Sequence, residues 1–599
     1  MTENLLQQIV LILTFGVGAQ WLAWRFKVPS ILLLLTAGFL SGPVFGWIRP
    51  DEIMGDALMP LVSVSVGIIL FEGGLTLNFK EWKQIGSVVR NLLLFGSAVT
   101  WGLAALAARY ILGWDWPLSV LMGAVLIVTG PTVILPLLRH IRPAKSVGNI
   151  LKWEGILIDP VGALLALLVF EAIIHDSEVS EFSLLAIKGM GLTFIVGMGF
   201  GWVGARFLLL IFKRHLVPEF LDNSVTLLAV IGVFTFANTI QHESGLLAVT
   251  IMGVFLANQK AIDVHHIIDF KENLRTLLIG SLFILLSSRL TLNEIAQIDW
   301  GQGILFLLAI LFIVRPLSVM ASTCLSNLSL KEKVFLSWLA PRGIVAAAVA
   351  SIFALRLQSA GVSGADELVP ATFLVIVGTV LVYGLTSQPL ARALGLASPD
   401  PQGILLMGAT PFSIKLAEVL KRETVDVLLV DTNRHHLIEP RLNGIPTWHG
   451  NILKLNPEES LDLQGIGYLM GLTPNDEVNS LAALQMKTLF GKDNVFQLAP
   501  PGTVSKEDSE MPSSLTGRFL FGPENSYLKL NASIARDAAT IKGTRFSNEY
   551  TFQKFSESDG QNSVPLILKK SSGEIRIWGF QRQPKPESGD TLFHLTLSS

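Results

Sequence analysis

From Met1 to about Ala397 the chain repeats one pattern, an apolar run of roughly 20 residues and then a short polar break. Such a run is long enough to cross a hydrocarbon core of about 30 Å as a helix. Inside lipid every backbone N–H and C=O must be satisfied within the structure, which leaves helices or a closed barrel. Runs of this length select helices. Charged residues make up only 15% of the chain, against about 25% in an ordinary soluble domain, and the deficit lies in this first part. From about Ser398 the composition turns to that of a soluble protein. The expectation is a membrane domain over 1–397, a soluble α/β domain over 401–500 and a β-rich segment over 513–599.

Spans are expected at 5–25, 29–48, 56–79, 88–111, 117–139, 147–174, 184–212, 221–241, 244–259, 271–288, 301–323, 331–356 and 369–394, about thirteen in all. Their connections sort by charge. Arg25, Lys27, Lys80, Lys83, Arg90, Arg139, Arg142, Lys145, Lys152, Lys213, Arg214, Lys260, Lys271, Arg275, Lys331 and Lys333 fall on every second connection, and Arg49, Arg109, Lys188, Arg289 and Arg356 on the others. Lys and Arg collect on the cytoplasmic side. The N-terminus is therefore expected outside, and the tail in the cytoplasm, of a cell (inner) membrane. The start, MTENLLQQIVLIL, has no basic residue before its apolar run and reads as a first span rather than a cleaved signal. A net charge of −2 and the lack of a basic cluster with interleaved aromatics give no sign of a nucleic-acid partner, and none is expected. Cys324 is the one cysteine, so neither an internal disulfide nor a thiolate metal centre can form.

An ionisable residue at mid-span is costly and usually marks a pathway or a pair. Glu72, Asp159, Arg315 and Arg342 lie deep in apolar runs, and Glu154 stands at the entry of the sixth. Asp159 precedes Pro160, which lacks an N–H, so the carbonyl of Ile156 loses its helical partner. A carboxylate beside a freed carbonyl suits a desolvated cation; an Asp paired with a buried Arg beside a proline kink is the structural alternative. In VTGPTVILPLLR, Gly130-Pro131 breaks the fifth span beside the Thr129 hydroxyl. In SWLAPRGIVAAAVA, Pro341 and Gly343 break the twelfth around Arg342. Broken helices at mid-membrane are a common ion-site architecture in transporters, and the spacing of seven spans from the fifth to the twelfth, odd as inversion requires, suits inverted repeats. Glu154 and Asp159 are five residues apart, about 140° around a helix, so they cannot share one face. Glu154 is expected to pair with Arg342, and Glu72 with Arg315.

At these residues the chain resembles monovalent cation–proton antiporters of the sodium/proton exchanger branch. The segments that carry the resemblance are FEGGLTL (71–77), TGPTVILPLL (129–138), EGILIDP (154–160), SGLLAVTIMGVFLAN (244–258), IVRPLSV (313–319) and PRGIVAAAVA (341–350), in order through the membrane domain. The resemblance implies a thirteen-span, all-α polytopic fold whose core holds two crossed broken helices, and a homodimer in the lipid bilayer. It implies that Asp159 carries a sodium or potassium ion or a proton in turn, helped by Thr129 and main-chain carbonyls. Two departures stand out: Gly130 where many relatives have Asp, and Ile158 where many have Asn.

In the tail, GILLMGATPFSIKLAEVLKRETVDVLLVDT reads strand, turn, helix, strand, with Asp431 ending the second strand. This is the layout of a nucleotide-binding βαβ unit, although the later glycine positions hold Thr410 and Ser413. IPTWHGN (445–451) and YLMGLTPNDEVN (468–479) resemble the N-terminal domain of TrkA-type regulators of potassium conductance. Gly408, Thr410 and Asp431 are the candidate contacts of a regulatory adenine nucleotide, the alternative being a degenerate unit kept for dimer contacts; no cofactor is required for transport. The reading is a proton-coupled, electroneutral cation antiporter with a regulatory tail, not an enzyme. A cation channel gated by such a tail, a membrane-anchored Rossmann enzyme and a sensor that has lost transport are the rivals. No TVGYG-like filter supports the first, and no catalytic cluster supports the second.

Overall fold

A computed structural model describes residues 2–26, 28–141, 143–175, 179–259, 265–292, 299–397, 401–454, 461, 463, 465–500, 515–522, 524–580 and 583–597. Of the basic connection residues, Lys27, Arg142 and Lys260 lie outside the described set. The chain divides into two units, Met1–Ala397 and Ser398–Ser599.

The first unit is helical. It comprises α1 (Thr2–Phe26), α2 (Ser30–Phe39), α3 (Leu58–Leu75), α4 (Phe79–Leu112), α5 (Trp116–Val125), α6 (Pro131–Ile141), α7 (Lys145–His175) and α8 (Val179–Lys213). There follow α9 (Asp222–Ile240), α10 (Ser244–Ala257), α11 (His265–Ser288), α12 (Trp300–Thr323), α13 (Leu330–Trp338), α14 (Ile344–Ser359) and α15 (Leu368–Ala393). Among the described residues, eight helical stretches are long and apolar enough to cross a bilayer, and five shorter apolar helices accompany them. Lys80, Lys83 and Arg90, expected in a connection, lie inside α4 instead. The cause is local: the Asn78 side chain caps the helix by accepting from the Lys80 N–H at 2.9 Å, so the helix starts early.

Small residues set the packing around α7. A methyl group on Gly74 of α3 would fall 2.5 Å from the Thr250 carbonyl of α10, and one on Gly73 would fall 3.3 Å from Ile156 of α7. In lipid, helices associate through such close packing rather than through the hydrophobic effect.

The second unit opens with a parallel sheet of β1 (Gly403–Met407), β2 (Val427–Asp431), β3 (Thr447–His449), β4 (Ile466–Gly471), β5 (Val495–Gln497) and β6 (Arg518–Phe519). Their order is β3-β2-β1-β4-β5-β6, the doubly wound arrangement whose crevice lies at the carboxyl ends of β1 and β4. Helices α16 (Pro411–Arg422) and α17 (Asp476–Phe490) connect strands. All five residues of β1 are buried, as a strand covered on both faces requires. The sixth strand lies past residue 500, so this sheet draws an edge from the 513–599 segment. That segment also supplies α18 (Tyr527–Ala535) and an antiparallel sheet of β7 (Ala539–Arg545), β8 (Ser563–Lys569), β9 (Ile575–Ile577) and β10 (Thr591–Leu597), in the order β7-β10-β8-β9.

Candidate ion site at the helix crossing

The site starts from two places where the sequence cannot sustain a helix. Helix α5 stops at Val125, residues 128–130 belong to no helix, and α6 restarts at Pro131. Proline suits that restart because the first helical position needs no N–H donor. Helix α13 likewise stops at Trp338, and α14 restarts at Ile344 after the 339–343 stretch. The two breaks cross at glycine. A methyl group built on Gly130 would sit 2.4 Å from the Gly343 Cα, and one on Gly343 equally close to the Gly130 Cα. No side chain larger than hydrogen fits either position without separating the two backbones.

Ending a helix leaves its last carbonyls without intrahelical donors, and lipid offers none. An arginine answers at each break. Arg342 Nη1 donates to the Ile127 and Val128 carbonyls at 3.3 and 3.4 Å. Arg315 Nε donates to the Leu336 carbonyl at 3.1 Å, and its Nη2 to Leu339 at 3.3 Å. Both side chains are buried.

The ion pairs differ from those expected on sequence. Glu154 pairs with Arg315, not Arg342, through two bonds of 2.5 and 2.9 Å. Glu72 pairs with Arg275 at 2.7 Å, not with Arg315. The reason lies in the carbonyls: the open end of α5 engages Arg342, and the fork of Arg315 is left to meet Glu154 bidentately. Arg275, counted on sequence among connection residues, is buried on α11.

Asp159 is wholly buried, and neither of its carboxylate oxygens has a hydrogen-bond partner among the described residues. Its place is fixed by its neighbours on α7. Gly155 and Gly162, which share its helix face, lie against the break: the position of a Gly155 Cβ is 3.6 Å from the Thr129 carbonyl, and that of a Gly162 Cβ is 3.3 Å from the Val128 nitrogen. Asp159, between them, faces the broken stretch. Ile156 turns its side chain against Gly73 of α3, leaving only its carbonyl for the site. Glu154 faces α12, away from Asp159, as their angular separation on the helix requires.

Thr129 and Thr132 flank the Gly130-Pro131 break. Each is buried with a hydroxyl lacking any partner among the described residues. Thr132 was not singled out on sequence. Its Oγ1 stands 3.3 Å from where a side chain on Gly130 would begin. The signal was present as a second hydroxyl three residues after Thr129. A buried hydroxyl left unbonded costs about 1–3 kcal/mol, and a bare carboxylate costs more. Unsatisfied oxygens of Asp159, Thr129 and Thr132 therefore concentrate around one break. Such a set can hold a monovalent cation, or the carboxylate can take a proton. It cannot do both at once on the same oxygens.

The tail candidates lie in the other unit, at the carboxyl ends of β1 and β2. Gly408 has φ +102°, a conformation that side chains rarely adopt. Thr410 caps α16, and Asp431 accepts from the Ala409 and Asn433 N–H groups, each at 2.7 Å.

Two broken helices crossing beside a buried carboxylate define a class of polytopic transporter. Residues 9–393 match the family described as sodium/hydrogen exchanger, transmembrane, and residues 404–499 match the TrkA-N domain. The chain belongs to the sodium/hydrogen exchanger family. It is 26% identical over 378 residues to the K(+)/H(+) antiporter NhaP2 of Shewanella sp. (strain ANA-3), spanning 61% of this chain and 63% of that protein. It is 25% identical over 427 residues to the Na(+)/H(+) antiporter ApNhaP of Aphanothece halophytica, covering 67% of this chain and 77% of the relative. The match thus spans less than two thirds of the NhaP2 length. The fold is shared with the sodium proton antiporter MjNhaP1 of Methanocaldococcus jannaschii, at a TM-score of 0.56 and 24% identity over 65% of this chain and 99% of that one. This is a family of membrane exchangers, not of enzymes.

Proposed function

We propose that the chain exchanges a monovalent cation, sodium or potassium, for protons, with Asp159 as the carrier. The observation that supports this most is the buried carboxylate of Asp159, without a hydrogen-bond partner among the described residues, facing a break in the neighbouring helix. A charge so placed needs a partner, and proton and cation compete for it. The Thr129 and Thr132 hydroxyls and the carbonyls of the broken stretch and of Ile156 complete the cation's shell. Glu154–Arg315 and Glu72–Arg275 hold the helices around it. With glycine at position 130, Asp159 is the single carboxylate at the crossing among the described residues, so one proton leaves as one cation enters and exchange is electroneutral. Gly130 and Ile158 leave no second carboxylate or amide to rank sodium above potassium. The protein works as a homodimer in the cell membrane, N-terminus outside, with the tail unit in the cytoplasm regulating exchange.

Purified protein in proteoliposomes should show proton flux when sodium, potassium or lithium is added outside, at a rate unaltered by an imposed membrane potential. No cation-driven flux would defeat the antiport reading. Flux that follows the potential would defeat electroneutrality alone. Uncoupled cation current, with no pH change, would favour the channel alternative.

A further inference from the structure

A Rossmann crevice holds a nucleotide through free backbone N–H groups at the turn after its first strand and at the N-terminus of the next helix. In this chain those donors are all engaged. Gly408 N–H donates to the Val430 carbonyl at 2.8 Å, Ala409 N–H to the Asp431 carboxylate at 2.7 Å, and Thr410 N–H to the Ser413 hydroxyl at 2.8 Å. Pro411 has none. Ser413 N–H returns to the Thr410 hydroxyl at 3.2 Å, and Ile414 N–H to the Thr410 carbonyl at 2.9 Å.

The remaining donor, Phe412 N–H, points at a different element. It donates to the side-chain oxygen of Asn531 on α18, at 3.1 Å. Asn531 is itself buried, and its amide nitrogen is anchored to the Tyr527 carbonyl at 3.0 Å. Helix α18 packs on α16, and its Leu530 and Ile534 share an apolar core with Phe412 and Leu416. Tyr527 lies one turn before Asn531 on the same face. Burial, then the nearby Asp431 carboxylate, push its phenol above the usual range. Asp431 occupies the place where an acidic residue meets a nucleotide's ribose.

We propose that the nucleotide seat over the carboxyl ends of β1 and β2, beside the crevice, is filled by α18 of the same chain, Asn531 standing where a phosphate would bind and Tyr527 beside the ribose position. The adenine nucleotide expected at Gly408, Thr410 and Asp431 is then replaced by an internal ligand. A signal would pass from the C-terminal sheet, through α18, to α16 without a bound nucleotide.

Two measurements on the full-length protein in detergent test this. In equilibrium dialysis with labelled AMP, ATP and NAD up to millimolar concentration, wild type should show no saturable binding. In hydrogen exchange, the Phe412 amide should be protected in wild type. It should exchange about tenfold faster in Asn531→Ala, the equivalent of one hydrogen bond of ordinary strength, and stay protected in Asn531→Asp, which keeps the acceptor. Saturable binding of any of the three nucleotides to wild type, lost in Asp431→Ala, would overturn the proposal. So would Phe412 protection indifferent to Asn531→Ala.

Discussion

Replacing Glu154 by alanine should damage the membrane unit through the charge it leaves behind. Both side chains of the Glu154–Arg315 pair are about 5% exposed, and they meet through two bonds. Without Glu154, the partners left to the Arg315 guanidinium among the described residues are the Leu336 and Leu339 carbonyls at 3.1 and 3.3 Å. Removing one partner of a buried pair costs about 3–5 kcal/mol. Arg315→Ala should cost at least as much, since it strands a carboxylate and releases both carbonyls of the α13 end. The double variant should cost less than the sum of the singles by up to about 3 kcal/mol, because each first substitution removes what the second would strand. The assay is a double-mutant cycle on the thermal midpoint of the purified protein in detergent, read by size-exclusion chromatography. A parallel cycle of Glu154→Ala with Arg342→Ala should be additive. Additivity in the Arg315 cycle, or coupling in the Arg342 cycle, would refute the pairing.

Alanine at Gly130 or Gly343 should abolish exchange and cost about 1–3 kcal/mol through overpacking. Flux and thermal midpoint should both report it, while Gly18→Ala, with nothing within 4 Å, should change neither. Thr132→Val has nearly the same shape and removes an unbonded hydroxyl, so stability should hold or rise while the cation concentration for half-maximal flux increases several-fold; Thr132→Ser should restore the wild-type value. In the tail, burial would raise the Asp590 carboxyl. Its bonds from the Glu587 N–H at 2.8 Å, the Lys570 ammonium at 3.0 Å and the Ser571 N–H at 3.0 Å outweigh that and hold it below 3.8. A lowered folded value contributes stability above the unfolded pKa, lost as pH falls through the folded one. Hydrogen exchange along β10 should therefore quicken as pH drops below about 4, after correction for intrinsic rates, and Asp590→Asn should flatten that dependence.

Apolar length and proline chemistry made much of this protein legible. The breaks at Gly130-Pro131 and Pro341–Gly343 could be read because proline and glycine interrupt a helix wherever they occur, and Asp159 because a carboxylate in a long apolar run needs a reason. The α/β tail declared itself through strand–turn–helix periodicity. Pairing did not declare itself. Whether Arg315 or Arg342 meets Glu154 depends on which guanidinium is already held by open carbonyls, and those carbonyls appear only once α5 and α13 have ended in space. The same holds for Asn531, whose partner at Phe412 lies 119 residues away in sequence. Thr132 sits beside a break that is plain in the sequence, but a hydroxyl reveals itself as unbonded only when its surroundings are known.

One carboxylate, Asp159, is proposed to hold a proton or a cation but never both. The most direct test of this is proton release from purified protein in weakly buffered detergent, followed with a pH dye as sodium or potassium is titrated in. Wild type should release at most one proton for each cation bound, the ratio nearing one at a pH low enough that Asp159 is protonated before the cation arrives and falling as pH rises, and folded Asp159→Asn should release none. Undiminished proton release from Asp159→Asn, with the same cation dependence as wild type, would contradict it.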